Sequence, residues 1–205
     1  MALDVIAGTL QQKYHIEERR HACAILASDF PAELQDIVGC LGQFQLVRSE
    51  IEVGGGGKSK IANRFDGFLK HRGWVEKSVK VSRTVGNVTS GSETHKVDFF
   101  KGRVAVEVEW NNKDPFFSRD LNAFRLLHEL DVISVGVLIT RMDELQKIFD
   151  KLGKKIGKKY GSSTTHWGKL MPRIEAGGAG ACPLLLVGIT ANCYIDDLSE
   201  ADHPL

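Results

Sequence analysis

Residues 132–140 read VISVGVLIT, almost without a polar interruption. A run of that kind is the signature of an interior strand covered on both faces. Residues 183–189, PLLLVGI, repeat the signature. Helical patterns surround these runs. Residues 59–71 carry a stripe of Ile61, Phe65, Phe68 and Leu69, and residues 114–130 carry Phe117, Leu121, Phe124, Leu127 and Leu130, with Arg119 and Arg125 on the flanks. Residues 141–160 carry Met142, Leu145, Ile148, Phe149, Leu152 and Ile156. The fold class this predicts is α/β, a mixed central sheet flanked by helices.

Residues 95–112, HKVDFFKGRVAVEVEWNN, read as a β-hairpin. Val97, Phe99, Val104, Val106, Val108 and Trp110 alternate with Asp98, Ala105, Glu107 and Glu109, the period of a strand pair with one face on a core. Lys101-Gly102 stands where the reversal is expected. A two-residue turn there sets Asp98 opposite Ala105 and diagonal to Glu107. Asp98, Glu107 and Glu109 then share one face. Carboxylates gathered this way repel one another, and a hard divalent cation such as Mg²⁺ would remove the repulsion. The plainer alternative is that Glu107 and Glu109 form the wet face of an amphipathic strand.

Composition excludes several classes. The 205 residues suit one domain, with residues 1–43 as a helical N-terminal elaboration. At 42% hydrophobic residues, the chain is neither disordered nor membrane-spanning, and no apolar stretch reaches transmembrane length. The N-terminus lacks the pattern of a secretory signal. Cys23, Cys40, Cys182 and Cys193 fit neither a disulfide framework nor a zinc knuckle, so a cytoplasmic location with reduced thiols is expected. With 27 basic and 26 acidic side chains, the charge of +1 argues against a purely electrostatic nucleic-acid coat.

Other stretches carry weaker signals. Residues 16–27 read as helical, and a second helix follows with Pro31 in its first turn. Residues 44–53 resemble a strand leading to Gly54–Gly57. That glycine run lacks the spacing of a nucleotide-binding loop, so no nucleotide cofactor is expected. It is either a mobile joint or a close approach to a phosphate backbone, with Lys58 and Lys60 adding charge. Glu52 beside it is a possible further acid. Residues 74–85 look extended, and residues 87–93 read as a polar connection. Lys147, Lys151, Lys154, Lys155, Lys158 and Lys159 make one helix surface basic, fit for phosphate or simply for solvent. Residues 161–182 read as a long glycine-rich loop, unusual enough in a compact domain to suggest function. Its His166, Lys169, Arg173 and Glu175 are candidates for reading DNA bases, since basic side chains suit guanine edges and an acid suits cytosine. The alternative is a surface excursion anchored by Trp167, Leu170, Met171 and Ile174.

Asp98 followed by Glu107-Val108-Glu109 resembles the PD-(D/E)XK nuclease core, and more narrowly the type II restriction endonucleases of the Bgl and Bam group. The resemblance is strongest over residues 95–140. It implies that Asp98 and Glu107 are metal-binding acids and that Glu109 stands where the superfamily most often has lysine. In this group a glutamate or glutamine can occupy that place. The chain departs from the pattern in having no proline before Asp98. The implied activity is Mg²⁺-dependent hydrolysis of both strands of a short palindromic duplex DNA site, by one or two ions, leaving 5′-phosphate ends. Asp98, Glu107 and Glu109 would be catalytic, Lys113 a phosphate contact, and the active species a homodimer without membrane attachment. A structure-selective repair nuclease or junction resolvase, or a non-catalytic DNA-binding module, is the alternative.

Overall fold

The computed structural model describes residues 4, 6, 8–53, 59–93, 96–113 and 115–198, without the side chains at 81, 83, 84, 92 and 93. Lys58 and the glycine run at 54–57 therefore lie outside the described residues. In chain order the elements begin α1 (Gly8–Lys13), β1 (Tyr14–Arg19), α2 (Ala22–Asp29), α3 (Pro31–Gln43), β2 (Leu46–Val47), α4 (Arg48–Glu52) and α5 (Lys60–His71). They continue β3 (Val75–Lys77), β4 (Lys80–Val85), β5 (Val88–Glu93), β6 (Val97–Lys101), β7 (Val104–Glu109), α6 (Pro115–Glu129) and β8 (Val135–Arg141). The last are α7 (Leu145–Lys151), α8 (Lys154–Lys159), α9 (Trp167–Glu175), β9 (Leu184–Ile189) and β10 (Tyr194–Ile195).

Six strands form the central sheet in the order β1-β9-β8-β7-β6-β3. β7, β8 and β9 pair in parallel, while β1 and the β6–β3 edge run antiparallel. Every residue of β7, β8 and β9 is buried. The expected α/β architecture with a mixed sheet is therefore the observed one.

The side-chain alternation of the parallel core divides the interior in two. Val104, Val106, Val108, Val135, Val137, Ile139, Leu185 and Val187 face one layer with Leu26, Leu41, Phe65 and Phe149. Ala105, Leu138, Leu184 and Leu186 face the other, where Phe117, Leu121, Phe124 and Leu127 of α6 meet Trp167 and Leu170 of α9. The opposite directions of successive side chains dictate that split. Gly136 lets α6 settle closely: a Cβ there would stand 2.7 Å from a ring carbon of Phe124.

Several local expectations need correction. Residues 14–19 form β1, paired with β9, so the first four residues of the helix expected over 16–27 are strand. The helical segment begins only at Ala22. Residues 44–53 contribute two strand residues and then α4. The polar stretch 87–93 is not a mere connection, because β5 pairs with β4 along its length into a separate ribbon. The expected helix over 141–160 breaks at Gly153, whose φ of 112° no helix accommodates, giving α7 and α8. Leu130 is 45% exposed, beyond the end of α6, and does not face the core. Within the expected 161–182 loop stands α9, whose buried Trp167 and Leu170 anchor it on the sheet. All four cysteines are free and buried. Among the described residues no helix is long and apolar enough to cross a membrane.

Candidate active site

The hairpin turns one residue later than its sequence suggests. Phe99 pairs with Val106, Phe100 with Ala105 and Lys101 with Val104, so the reversal falls on Gly102-Arg103. Gly102 has a φ of 57°, which glycine adopts without steric cost. Moving an antiparallel reversal by one residue moves each partner by two, so every side chain keeps its face. Asp98 consequently comes beside Glu107 instead of Ala105.

There the backbone ladder gives way to side-chain bonds. The Asp98 N–H donates to Glu107 Oε2 at 3.3 Å, and the Val108 N–H donates to Asp98 Oδ2 at 3.2 Å. A bulge accompanies this departure: β3 pairs Val75 with Phe100 but Lys77 with Val97. The extra residue re-aims the strand, as bulges do. Val97 joins the α6 layer while Phe99 stays on the other, which corrects their expected common face.

Glu107 and Glu109 are each only 1% exposed. The wet-strand reading of these two residues is thus wrong. They lie on the α6 side of β7, among apolar groups that solvate charge poorly. Burial above all, then the charges of Asp120 and Asp98, push the Glu107 carboxyl well above the usual carboxylate range. Glu109 is pushed up to about 9, mainly by burial and then by Asp120, with Asn112 and Arg119 working against the rise. Glu107 Oε1 is buried and has no hydrogen-bond partner among the described residues.

Asp120 is the site residue that the sequence reading missed. It is fully buried on α6, within the stripe that holds Phe117, Leu121 and Phe124. A carboxylate at a helical core position was the available signal. Its neighbour Arg119 ion-pairs with it at 2.9 Å and with Glu109 Oε1 at 3.5 Å.

Beyond β7 the chain reverses through Asn111, at a φ of 61° that asparagine tolerates. Asn112 then donates its Nδ2 hydrogen to Glu109 Oε2 at 2.9 Å. Its N–H donates to Thr165 Oγ1 at 3.1 Å, and the Thr165 N–H donates to the Asn112 carbonyl at 2.9 Å. Lys113, exposed, forms a β-bridge with Thr164. The segment that leads into α9 is thus stitched to the rim of the acidic cluster.

The remaining predicted residues are more dispersed in character. His166 is half-buried with Nδ1 2.6 Å from Asp143 Oδ1. Burial holds its pKa below the usual value against the pull of Asp143. Arg173 donates from Nε to Ser118 Oγ at 3.1 Å and from Nη1 to the Lys169 carbonyl, which ties α9 to α6. Glu175 is exposed at the end of α9, Lys169 is half-buried, and Lys60 is exposed at the start of α5. Glu52 is paired with Arg48 at 2.8 Å.

Among the described residues, no group of three or more His, Cys, Asp or Glu side chains is arranged to hold a metal ion. The Asp98 and Glu107 carboxylates nonetheless offer hard oxygen donors, and Mg²⁺ commonly binds one or two carboxylates and completes its shell with water and phosphate. The unpartnered Glu107 oxygen fits that donor set.

A mixed α/β sheet with an acid-bearing hairpin beside a parallel core has restriction-endonuclease-like architecture. The chain belongs to the family described as restriction endonuclease BglII/BglIII, whose model matches residues 14–189. The matched span runs from the first residue of β1 to the last of β9, the full width of the central sheet up to β3. No curated protein matches the chain.

Proposed function

We propose that this protein is a Mg²⁺-dependent type II deoxyribonuclease that cuts both strands of a short palindromic duplex site. The observation that carries the reading is the interlock of Asp98 and Glu107 beside buried Glu109, within a chain of the restriction endonuclease family. Burying these acids together is unfavourable unless something compensates them.

Asp98 and Glu107 would hold the cation. When bound, Mg²⁺ supplies an acidified water and stabilises charge growing on phosphate oxygens. Asp98 is the more accessible ligand, and its carboxylate is steadied by the Val108 N–H. Glu109, oriented by Asn112, would align the attacking water or accept its proton. The 3′-oxygen would leave, which gives 5′-phosphate ends. Lys58, Lys60 and Lys113 would contact phosphates, and His166, Lys169, Arg173 and Glu175 would lie against base edges. A homodimer would bring two such sites to opposite strands, since two-fold symmetry matches a palindrome.

Digestion of a large mixed-sequence duplex with Mg²⁺, followed by sequencing of both ends, tests the reading. One recurring symmetric site is the expected result. Random cutting would refute site specificity, and selective cutting of branched duplexes would favour the resolvase class.

A further inference from the structure

We propose that Arg119 is the cationic contact to the cleaved phosphate, and that Asp120 is the positioning residue that holds it there. The inference rests on the nuclease reading and assigns these two residues within it. The guanidinium is fastened on its inner side. Nε donates to Asp120 Oδ1 at 3.0 Å, and Nη2 lies 2.9 Å from the same oxygen and 3.5 Å from Glu109 Oε1. The Phe116 ring closes a further side, with its centroid 4.1 Å from the guanidinium carbon.

The outer side is open. The Arg119 side chain keeps 35% of its exposure, while Asp120 and Glu109 keep 0% and 2%. A guanidinium carries five N–H donors in a rigid fork that suits a phosphate, and only some face the acids. The carboxyls of Asp98, Glu107, Glu109 and Asp120 offer a polyanion no attraction of their own. A positive group fixed at their rim supplies it where the phosphate must arrive. Asp120 explains its own burial in the same way. It occupies a helical core position that leucine would fill more favourably, and its carboxylate prevents the arginine from swinging freely in solvent. Lys113, the phosphate contact expected from sequence, has no such fixation among the described residues: it is exposed on the strand-like bridge to Thr164.

A purely structural Arg119 would neutralise the buried acids and do nothing more. Single-turnover cleavage separates the two roles, using the duplex site that wild-type end sequencing identifies, with retention of that duplex measured in Ca²⁺. Arg119→Ala is expected to slow cleavage by about 10²–10³-fold, the usual loss for one preorganised donor, with retention within about threefold. Arg119→Gln carries the test if the alanine variant fails to melt cooperatively. Asp120→Asn is expected to slow cleavage by about tenfold and to add nothing to Arg119→Ala, as for two residues acting through one group. A folded Arg119 variant that cuts within about threefold of wild type overturns the proposal. So does a retention defect that accounts for all the lost cleavage, or an Asp120→Asn effect undiminished in the Arg119→Ala background. A wild-type protein that cuts no duplex refutes the nuclease reading itself, and this inference with it.

Discussion

Asp98 and Glu107 are joined through backbone and side chain at the point where their strands stop pairing: the Asp98 N–H donates to Glu107 Oε2 at 3.3 Å. The acid pair is built into the hairpin, so its spacing does not depend on a flexible loop. Asp98→Ala and Glu107→Ala, each verified as folded, are expected to lose Mg²⁺-dependent cleavage on the order of 10³-fold, in line with several kcal/mol of charge stabilisation. DNA retention without divalent metal should persist or strengthen. Near-normal turnover by either variant would remove the ligand assignment.

Glu107→Gln should raise the stability of the metal-free protein at pH 8 while it abolishes cleavage. The substitution keeps the side chain's shape and relieves a carboxylate buried among Asp98, Asp120 and Glu109. A gain of about 1 kcal/mol or more in urea denaturation is the expected size. A loss would mean that the carboxylate is compensated within the protein.

The metal-free protein should become less stable as pH rises from about 4.5 towards 9. Burial and Asp120 raise the folded-state values of Glu107 and Glu109 above the ordinary 4.5, the latter to about 9. Across that window the folded state binds more protons than the unfolded one, so stability is full below the window and is lost through it. Thermal melts at fixed ionic strength check the slope, and Mg²⁺ should flatten it. A metal-free melting temperature that climbs through this range would contradict the assignment.

Glu109→Ala is expected to depress single-turnover cleavage more than duplex retention, and Asn112→Ala should do so in the same direction but less. Asn112 offers one oriented hydrogen bond, worth about 1 kcal/mol or somewhat more to a charged acceptor. If Glu109→Ala leaves the chemical step unchanged, the residue has no part in the reaction.

Gly136→Ala tests how α6 is seated over the acids. The new methyl group would meet Phe124 at 2.7 Å, so the helix must shift or the ring must leave its rotamer. A cost of about 1–3 kcal/mol is expected by chemical denaturation, with some loss of cleavage because Asp120 rides on the same helix.

Much of this was legible because it is periodic. The runs that became β8 and β9 are apolar on both faces, and the hairpin acids kept their shared face even though the turn moved by one residue. Other features depend on partners or backbone geometry that a local pattern does not specify. Residues 14–19 carry Glu17, Glu18 and Arg19, which suit a helix, and become a strand only because β9, far along the chain, offers them an edge. Apolar spacing over 141–160 describes the face of a helix and does not specify the positive φ that the backbone takes at Gly153. Asp120 escaped because a charge within a stripe of Phe117, Leu121 and Phe124 looks like an interruption until the facing strand is known to carry acids. Burial of Glu107 and Glu109 is likewise a property of α6 above them, not of β7 alone.

The paired hydrogen bonds between Asn112 and Thr165 have a consequence for interpreting variants. Those two residues are 53 positions apart, yet the carboxamide that steadies Glu109 hangs from the backbone that Thr165 holds. A lesion at Thr164 or Thr165, with every acid intact, would loosen Asn112 and imitate an acid substitution in a cleavage assay. Defects mapped to the approach to α9 therefore say nothing about base reading until the alignment of Glu109 has been measured separately.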